Sequence, residues 1–448
     1  MLKFLDKIKR MMKKRYRIGV VGAGYVGLTT ATCFSELGHR VICYDKDERK
    51  IQNLKEGNIP IWEPGLGELI KKNLGKNLLF TSSPDEIYPE SEVIFICVGT
   101  PQSQDGSPDM SYVELCSIEI SKYLENYKII VEKSTVPVKT VDWIKRTISL
   151  YNPQAKFDVV SNPEFLREGS AVHDFFNPDR VVIGTESERA KEVMLDIYND
   201  EEFKCPKVIT DVKTAEVIKH ASNSFLALKI SYINMIADFC EKVGVDVEAV
   251  AEGMGLDKRI GRAFLKAGVG WGGSCFPKDI KAFIKMAKDN QVSFSILEEA
   301  YKVNEARIDV FIKKIKDALW VIKGKKIAVW GLSFKPNTDD IREAPALKII
   351  PRLLNEGASL QLYDPKAMEN TKKVIPPSDQ VFYTSSAYEA AKGAHAITII
   401  TEWDEFKNVN LQEIKKLMIT PIIIDGRNIF DPKKVRELGF LYFSMGRP

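Results

Sequence analysis

The chain has 448 residues, of which 44% are hydrophobic and 28% charged, and its formal net charge is +4. This length provides two or three domains with a large core, and the composition excludes a disordered or fibrous protein. No apolar run approaches the roughly 18 residues that cross a bilayer, which argues against a membrane-spanning segment.

The positive charge is concentrated at the start of the chain. The first 17 residues contain eight Lys or Arg and one Asp, so the remainder is slightly acidic and has no basic bias towards nucleic acid. Residues 1–16 are therefore treated as a basic extension. Phe4, Ile8 and Met11 have helical spacing. An amphipathic helix on a membrane surface is one interpretation, and a solvated tail is the favoured one.

The first predicted elements form a βαβ unit: a strand at Arg17–Val21, a glycine-rich turn, a helix to about Leu37 and a strand at Arg40–Tyr44. The turn has the spacing G-x-G-x-x-G, which lets a pyrophosphate approach the start of the helix. Asp45 ends the second strand, where an acid binds the ribose hydroxyls and favours NAD over NADP. The nearby Lys46 and Arg49 or Lys50 weaken that preference. A glycine turn without a ligand is the alternative. The predicted NAD contacts in this unit are Gly22, Gly24, Tyr25, Val26, Gly27, Asp45 and Lys50.

A parallel sheet covered on both faces is predicted, because strand-like runs alternate with helical segments. Its further strands are Val93–Val98, Ile129–Glu132, Val159–Ser161 and Val181–Gly184. Loops at the carboxyl ends of such strands line the ligand crevice. Thr100 and Thr135 lie in two of these loops and can offer hydroxyls to cofactor or substrate. Ordinary strand-terminating turns are an equal alternative.

Two pairs of polar residues are spaced four apart. Glu164 and Glu168 would share a face on a helical turn and there handle water or a proton, but spacing alone favours a solvated face. Lys219 and Asn223 lie on a long predicted helix over residues 214–243, which Gly244 ends. The lysine can act in acid–base chemistry and the amide as a neutral donor, with a surface lysine as the alternative.

Cys275 lies in a segment rich in glycine, residues 270–279, between that helix and a second long one predicted at Ser295–Leu319. A thiol on a glycine-rich turn beside Lys278 is placed for nucleophilic work, because a positive charge favours the thiolate. Asp279 can orient the lysine or a water. An inert buried cysteine is the alternative.

The remaining cysteines and the histidines show no ligand pattern. The seven cysteines are widely spaced without a Cys-x-x-Cys pair, and the four histidines lack metal-ligand spacing. We therefore predict no disulfide framework, no metal site and a cytoplasmic location.

The pattern of the C-terminal third predicts a second, smaller sheet that resembles the first. Its predicted strands are Lys325–Trp330, Leu360–Tyr363, Ala396–Thr401 and Ile422–Asp425. Its turn has a single glycine, Gly331, which weakens the case for a second dinucleotide and leaves room for another nucleotide-like ligand. Lys335 and Arg342 follow this turn and suit phosphates. A solvated loop that binds no ligand is an equal alternative for Lys335 and Arg342.

Together these segments resemble the UDP-glucose/GDP-mannose dehydrogenase family over nearly the whole chain after about Tyr16. The matching motifs stand in the family's order: residues 22–27, 99–101, 134–136, 162–169 and 177–180, Lys219 with Asn223, the Cys275 segment, and residues 331–345. The resemblance implies an α/β fold with two Rossmann-like doubly wound domains, joined by a central helical region with a long dimerisation helix. It places NAD on residues 17–212, the central region at 213–319 and the UDP-sugar on residues 320–448.

Residues 259–261 and 264–268 match the subgroup of this family that acts on UDP-glucose. The resemblance implies oxidation of C6 to give UDP-glucuronate, with two NAD and one water consumed. Cys275 would carry a thiohemiacetal and then a thioester. Lys219 and Asn223 would stabilise the oxyanion, with Lys219 also a candidate base. Water and protons would be handled by Glu164, Asp279 and Thr135.

The resemblance also implies binding roles. NAD would further contact Thr100, Thr135, Glu168, Lys278 and Arg342. The UDP-sugar would contact Glu164, Phe165, Leu166, Arg167, Glu168, Lys219, Asn223, Arg259, Phe264, Leu265, Lys266, Ala267, Gly268, Gly272 and Lys335. Arg259 would reach the substrate of a neighbouring subunit, which implies a homodimer or a higher oligomer.

Three rival functions stay open. A related dehydrogenase of GDP-mannose or of a UDP-N-acetylhexosamine would differ in its hexose. A β-hydroxyacid dehydrogenase resembling 6-phosphogluconate dehydrogenase also has Lys and Asn four apart, but it lacks the cysteine segment and the second α/β region. A non-enzymatic sensor would bind NAD and UDP-sugar without turnover.

Overall fold

The computed structural model describes residues 14–103 and 106–448. They form two compact units, one ending at Ala221 and one running over Ser222–Pro448. The predicted amphipathic helix with Phe4, Ile8 and Met11 lies outside the described residues. Within the described ranges, no helix is both long and apolar enough to cross a membrane.

The first unit is built on a sheet that, in the described residues, has eight strands in the order β3-β2-β1-β4-β5-β6-β7-β8. The strands are β1 (Arg17–Val21), β2 (Arg40–Tyr44), β3 (Leu78–Thr81), β4 (Val93–Ile96), β5 (Lys128–Glu132), β6 (Phe157–Ser161), β7 (Val181–Gly184) and β8 (Lys207–Thr210). The helices are α1 (Tyr25–Glu36), α2 (Glu48–Lys55), α3 (Leu66–Asn73), α4 (Pro84–Ile87), α5 (Ser111–Ser121), α6 (Thr140–Tyr151), α7 (Ala171–Phe176) and α8 (Glu188–Ile197).

Successive side chains of a strand point to opposite faces of its sheet, and in this sheet the apolar side chains of both faces are buried. In β1, Ile18 and Val20 pack into one buried cluster and Val21 into another. Neighbouring strands pair in parallel, which was predicted, but β6 and β7 meet in a single antiparallel pair, Ser161 with Gly184. The parallel prediction was wrong there, since the short α7 does not form the long crossover helix that parallel strands usually require.

The long helix α9 (Val212–Val243) begins in the first unit and continues into the second. It contains no Pro or Gly and ends where Gly244 adopts a left-handed φ of 75°, as the sequence predicted. Three more helices follow: α10 (Val247–Gly255), α11 (Phe276–Asp289) and α12 (Ser295–Leu319).

The second unit ends in a parallel sheet that, among the described residues, has six strands in the order β11-β10-β9-β12-β13-β14. The strands are β9 (Lys326–Trp330), β10 (Ser359–Tyr363), β11 (Val381–Tyr383), β12 (Ala396–Ile399), β13 (Ile422–Asp425) and β14 (Leu441–Ser444). The helices are α13 (Pro345–Asn355), α14 (Met368–Val374), α15 (Ala387–Ala391), α16 (Asp404–Lys407), α17 (Leu411–Leu417) and α18 (Pro432–Glu437). The predicted fold class, with two Rossmann-like sheets and a helical region between them in the chain, is confirmed.

Candidate active site

The three glycines after β1 serve different purposes. Gly22 has a φ of 100°, and a Cβ there would lie 2.7 Å from the carbonyl oxygen of Cys97. A Cβ on Gly27 would lie 1.8 Å from the carbonyl oxygen of Gly22, so these two glycines are required by the protein itself. A Cβ on Gly24 would meet no described atom within 4 Å. The open space beside Gly24, at the start of α1, fits a pyrophosphate group.

The start of α1 is suited to an anion, because its first residues, Tyr25 and Val26, are uncharged and the helix dipole is positive there. The hydroxyl oxygen of Tyr25 accepts a hydrogen bond from Gly169 N–H at 2.9 Å. Gly169 N–H also donates to Glu63 at 2.6 Å, and Ala171 N–H donates to the same carboxylate at 2.7 Å. Glu63 was not predicted from the sequence, because it belongs to no motif.

Asp45 is anchored at the end of β2. Its Oδ2 accepts Ala23 N–H at 2.9 Å and Lys50 Nζ at 2.8 Å, and its Oδ1 accepts Asp47 N–H at 3.0 Å. Burial alone would raise the pKa of Asp45, but these hydrogen bonds outweigh it and hold the pKa below its ordinary value. The side chain keeps 13% of its surface exposed. An ionised acceptor at this position fits ribose hydroxyls.

Thr100 and Thr135 lie in loops that follow β4 and β5. The hydroxyl of Thr100 donates to the carbonyl oxygen of Thr135 at 3.0 Å, so the two predicted residues are joined in one site. β4 and β5 are adjacent and parallel, which brings the two loops to the same edge of the sheet.

Glu164 and Lys219 form a buried ion pair. Both side chains are 5% exposed, and Lys219 Nζ donates to Glu164 Oε1 at 3.0 Å and to the Glu164 carbonyl oxygen at 2.6 Å. Glu164 Oε2 accepts Leu166 N–H at 2.6 Å. Lys219 Nζ lies 5.2 Å, and Arg180 Cζ 3.6 Å, from the centroid of the Phe165 ring. Arg180 had no predicted role beyond its place in a motif.

The helical turn considered for Glu164 and Glu168 is absent from the described residues, since 162–167 carry no regular secondary structure. Asn162 anchors this segment instead, because its side chain donates to Val182 O at 2.8 Å. Glu164 is buried, Glu168 is half-buried, and the exposed Arg167 donates from Nε to Asp174 at 2.9 Å.

In the second unit, Cys275 immediately precedes α11. Its carbonyl oxygen accepts Asp279 N–H at 2.8 Å, so the thiol-bearing residue and Asp279 share the first turn of the helix. The Asp279 carboxylate is 1% exposed. It accepts Asn223 Nδ2 at 2.7 Å and Lys278 Nζ at 2.7 Å. Four predicted catalytic or cofactor residues therefore meet around α11, with Lys278 paired to Asp279.

The glycines of the Cys275 segment allow tight backbone contacts. A Cβ on Gly272 would lie 2.1 Å from the Glu343 carbonyl oxygen, and one on Gly273 would lie 2.7 Å from the Phe334 ring. Gly273 N–H also donates to Arg342 O at 2.9 Å. The segment is thus fixed against residues 334–343 of its own unit.

The remaining predicted ligand contacts are spread over the second unit. Leu265 and Ala267 are buried in the protein core, Gly268 N–H donates to Asn234, and Phe264, with a φ of 65°, and Lys266 are more accessible. Arg259 is 89% exposed and paired with Asp257. Lys335 Nζ lies 5.4 Å from the Phe334 ring centroid, and Arg342 pairs with Asp340.

Asp364 follows β10 as Asp45 follows β2, but its environment differs. Asp364 is 1% exposed. Its Oδ2 accepts Leu332 N–H, Ser333 N–H and Trp403 Nε1–H at 2.7, 3.0 and 3.1 Å. The protein therefore uses this carboxylate internally, and the second sheet lacks an acid presented for ribose at that position of its described residues.

Three models of one family match the chain in sequence: the NAD binding domain of the UDP-glucose/GDP-mannose dehydrogenase family at residues 16–202, its central domain at 213–306 and its UDP binding domain at 328–432. UDP-glucose 6-dehydrogenase TuaD of Bacillus subtilis (strain 168) is 46% identical over 96% of this chain and 93% of its own length. UDP-glucose 6-dehydrogenase of Rhizobium meliloti (strain 1021) is 48% identical over 96% of this chain and 100% of its own.

A solved UDP-glucose dehydrogenase from Pyrobaculum islandicum superimposes with a TM-score of 0.89 at 37% identity, covering 96% of this chain and 98% of that one. The glycine turn at residues 22–27 (the glycine cradle), the buried Glu164–Lys219 pair and the Cys275 segment therefore belong to a chain that is similar to these proteins over nearly its full length. The chain belongs to the UDP-glucose/GDP-mannose dehydrogenase family of NAD-dependent oxidoreductases.

Proposed function

We propose that this protein oxidises C6 of UDP-glucose to the carboxylate of UDP-glucuronate, consuming two NAD and one water. The observation that carries the proposal is the position of Cys275, directly before α11 and one turn from the buried Asp279. A two-electron dehydrogenase of alcohols has no need of such a thiol. A four-electron oxidation does need a thiol, because a covalent adduct retains the aldehyde and activates it for the second step.

NAD would be held by the glycine cradle at residues 22–27, by Asp45 and Lys50, and by the loops with Thr100 and Thr135. Contacts from Glu168, Lys278 and Arg342 complete the proposed set. When bound, NAD supplies the hydride acceptor for both oxidations. The open space beside Gly24 and the ionised Asp45 support this assignment.

Cys275 acts on the aldehyde that the first oxidation produces. Its thiolate adds to the carbonyl carbon to form a thiohemiacetal, and loss of the second hydride gives a thioester. Water then attacks the thioester carbon, and cleavage of the carbon–sulfur bond releases the acid and the thiolate. The positive end of α11 favours the thiolate form of the cysteine.

The polar residues around these steps have separate roles. In its neutral amine form Lys219 accepts the alcohol proton, and as the resulting ammonium it stabilises, with Asn223, the oxyanion of the adducts. Glu164 and Asp279 hold and deprotonate water, with Thr135 positioning it. The buried Glu164–Lys219 and Asn223–Asp279 contacts support these assignments, because each proton carrier has a partner that fixes its orientation.

UDP-sugar binding is proposed for residues 320–448, including Lys335, with dinucleotide binding on residues 17–212 and dimerisation through residues 213–319. Further sugar contacts come from 164–168, 264–268, Gly272 and Arg259. The internally bonded Asp364 supports the division between the two nucleotide sites.

A homodimer is proposed because the second unit's part of α9 exposes an apolar stripe. Phe225, Tyr232 and Phe239 recur every seven residues and are 61%, 42% and 64% exposed, and Met235 lies between them at 50%. Such a stripe is typical of a helix–helix interface. Light scattering should give a dimer for the wild type and a monomer for Phe239→Glu. Ile296→Glu, on exposed Ile296 of α12, is the control and should stay dimeric.

The substrate is tested by NADH absorbance with a panel of nucleotide sugars. We expect the highest kcat/KM with UDP-glucose and two NADH per sugar. One NADH per sugar would favour a two-electron dehydrogenase, and a preference for GDP-mannose or a UDP-N-acetylhexosamine would reassign the hexose. Binding without turnover would leave a sensor. Cys275→Ser should bind both ligands but make little acid, and near-normal acid production would remove the covalent mechanism.

We further propose that the protein works in the cytoplasm and that its basic extension stays in water. None of the seven cysteines, all of which lie in the described residues, forms a disulfide, which is typical of a reducing compartment. Co-sedimentation with anionic vesicles should be equal for the full chain and for a variant lacking residues 1–13. Stronger sedimentation of the full chain would instead show membrane-surface binding.

A further inference from the structure

The segment from Ser134 to Val141, called here the Thr135 loop, joins β5 to the first turn of α6 and is held by two side chains of α9. Glu216 Oε2 accepts Lys139 N–H at 2.7 Å, and Glu216 Oε1 accepts Val141 N–H at 3.0 Å. His220 Nε2 lies 2.8 Å from the Val136 carbonyl oxygen. Because a carbonyl oxygen accepts hydrogen bonds, this contact assigns the proton to Nε2.

The turn of α9 that holds this loop also holds the neighbouring one. Glu216, Lys219 and His220 fall within about one turn of the helix. Lys219 bonds Glu164, which follows β6, whereas the other two bond the loop that follows β5. β5 and β6 are adjacent parallel strands, so this turn links two loops at the same edge of the sheet.

The contacts to the Thr135 loop are buried and address a specific local need. Glu216 is 2% exposed and His220 is 1% exposed. Lys139 precedes α6 with a left-handed φ of 79°, a conformation that a residue with a Cβ adopts at a cost. Its side chain has no acceptor for the first N–H groups of α6, and Glu216 supplies that acceptor from another helix.

We propose that Glu216 and His220 are positioning residues, which fix the Thr135 loop relative to the Glu164–Lys219 pair for the oxidation. The proposal rests on the proposed function, which gives Thr135 its role. Glu216 and His220 act through backbone contacts and need not touch the substrate.

The charge on Glu216 determines the strength of its hydrogen bonds with Lys139 N–H and Val141 N–H. Burial raises the pKa of Glu216 to about 7. Two carboxylates interact with it electrostatically, Glu132 from β5 and Asp142 from α6. Lys213 of α9 lies 3.6 Å from Asp142, and His220 follows Glu216 by one turn of α9. Protonation turns one acceptor oxygen into a donor, so one of the two N–H contacts is lost. The N–H donors of Lys139 and Val141 lower this pKa against the effect of burial, so their two contacts are strongest with the ionised carboxylate, above a pH of about 7.

The contact itself is tested without substrate. Amide exchange of residues 134–141 should quicken by roughly tenfold in Glu216→Gln at pH 8.5, because a charged acceptor of two N–H groups is lost. Asp142→Asn is the matched control, since it removes an exposed carboxylate from the same helix start and should leave exchange at the wild-type rate. Unchanged exchange in Glu216→Gln would overturn the proposal.

The functional link is tested by a double-mutant cycle with Thr135→Ala. If Glu216 acts through Thr135, Glu216→Gln should lower kcat roughly tenfold with KM within about twofold, and should add little in the Thr135→Ala background. Multiplicative losses would overturn the link. Two substitutions test His220 in the same way. His220→Gln keeps a hydrogen-bond donor and should retain most of kcat, whereas His220→Leu has no donor and should lose most of it. A wild type inactive on every nucleotide sugar would defeat the proposed function, while the exchange comparison would still decide the loop contact.

Discussion

Asn223 on α9 donates its amide to the carboxylate of Asp279 on α11 over 2.7 Å. The second carboxylate oxygen accepts Lys278 over 2.7 Å, and Asp279 is almost fully buried. This single carboxylate, one helical turn from Cys275, therefore orients the amide of Asn223 and the ammonium group of Lys278. Changes at this carboxylate should affect the chemistry more than binding.

Replacing Asp279 by Asn should lower kcat about 10²-fold or more, because a carboxamide cannot accept a proton from water during thioester cleavage. Stopped-flow absorbance should show a rapid burst of NADH followed by a slow steady state. Asp289→Asn, at the exposed end of the same helix, serves as the control. A kcat within about twofold of the wild type in Asp279→Asn would contradict the assigned role.

Gly24 and Gly27 should respond differently to the same substitution. Gly24→Ala should fold normally, since its Cβ meets no described atom, but should raise KM for NAD roughly tenfold by blocking the pyrophosphate. Gly27→Ala should lower the melting temperature, because its Cβ would collide with the Gly22 carbonyl oxygen. Calorimetry and NAD titration separate the two effects. Equal melting temperatures and equal NAD affinities in both variants would refute this account.

Asp45→Asn should weaken NAD binding by roughly 10- to 100-fold, the range for losing a charge-assisted hydrogen bond. It should also narrow the preference for NAD over NADP, since the carboxylate no longer repels a 2′-phosphate. Isothermal titration with both dinucleotides measures this. Asp47→Asn, at an exposed position that caps α2, should change neither affinity. An unaltered ratio of the two affinities in Asp45→Asn would exclude ribose recognition by this residue.

Glu132 should make stability depend on pH. Burial raises its pKa to about 8, against the opposing hydrogen bonds from Ser134. A pKa raised in the folded state gives stability that is complete below the unfolded pKa and is lost as pH rises through about 8. Glu132→Gln cannot ionise, so its melting temperature at pH 9 should exceed that of the wild type by at least roughly 2–4 °C, as about 1 kcal/mol produces. The difference should shrink at pH 5.

The exposed Glu125→Gln provides the control for this pH series. Its melting curve should follow the wild type at both pH values. A Glu132→Gln variant that loses stability at pH 9 would show that the carboxylate is stabilising when ionised, contrary to the effect of burial.

The sequence predicted the central strands well, because they are buried along their whole length, as in residues 93–96 and 181–184. It did not predict β3, β8, β11 or β14. These four strands lie at the edges of the two sheets, and the exposed Val208 and Ile209 of β8 show how little burial marks them. Short edge strands are specified by their neighbours more than by their own pattern.

The candidate site could be assembled from motifs but not oriented by them. Spacing suggested that Glu164 and Glu168 share a helical face, whereas Glu164 turns inward to Lys219 from a segment without regular structure. Residues that act through backbone contacts, such as Glu63 and Glu216, were invisible in the sequence, since their partners are far away along the chain.

The internal bonding of Asp364 bears on the order of events in the proposed reaction. The described residues offer one glycine cradle with a partly exposed acid, at Asp45, while the matching acid of the second sheet is fully engaged. Two dinucleotides must then use the same cradle in succession, so the first reduced one has to depart before a fresh one enters. A covalent hold by Cys275 would keep the half-oxidised sugar in place during that exchange.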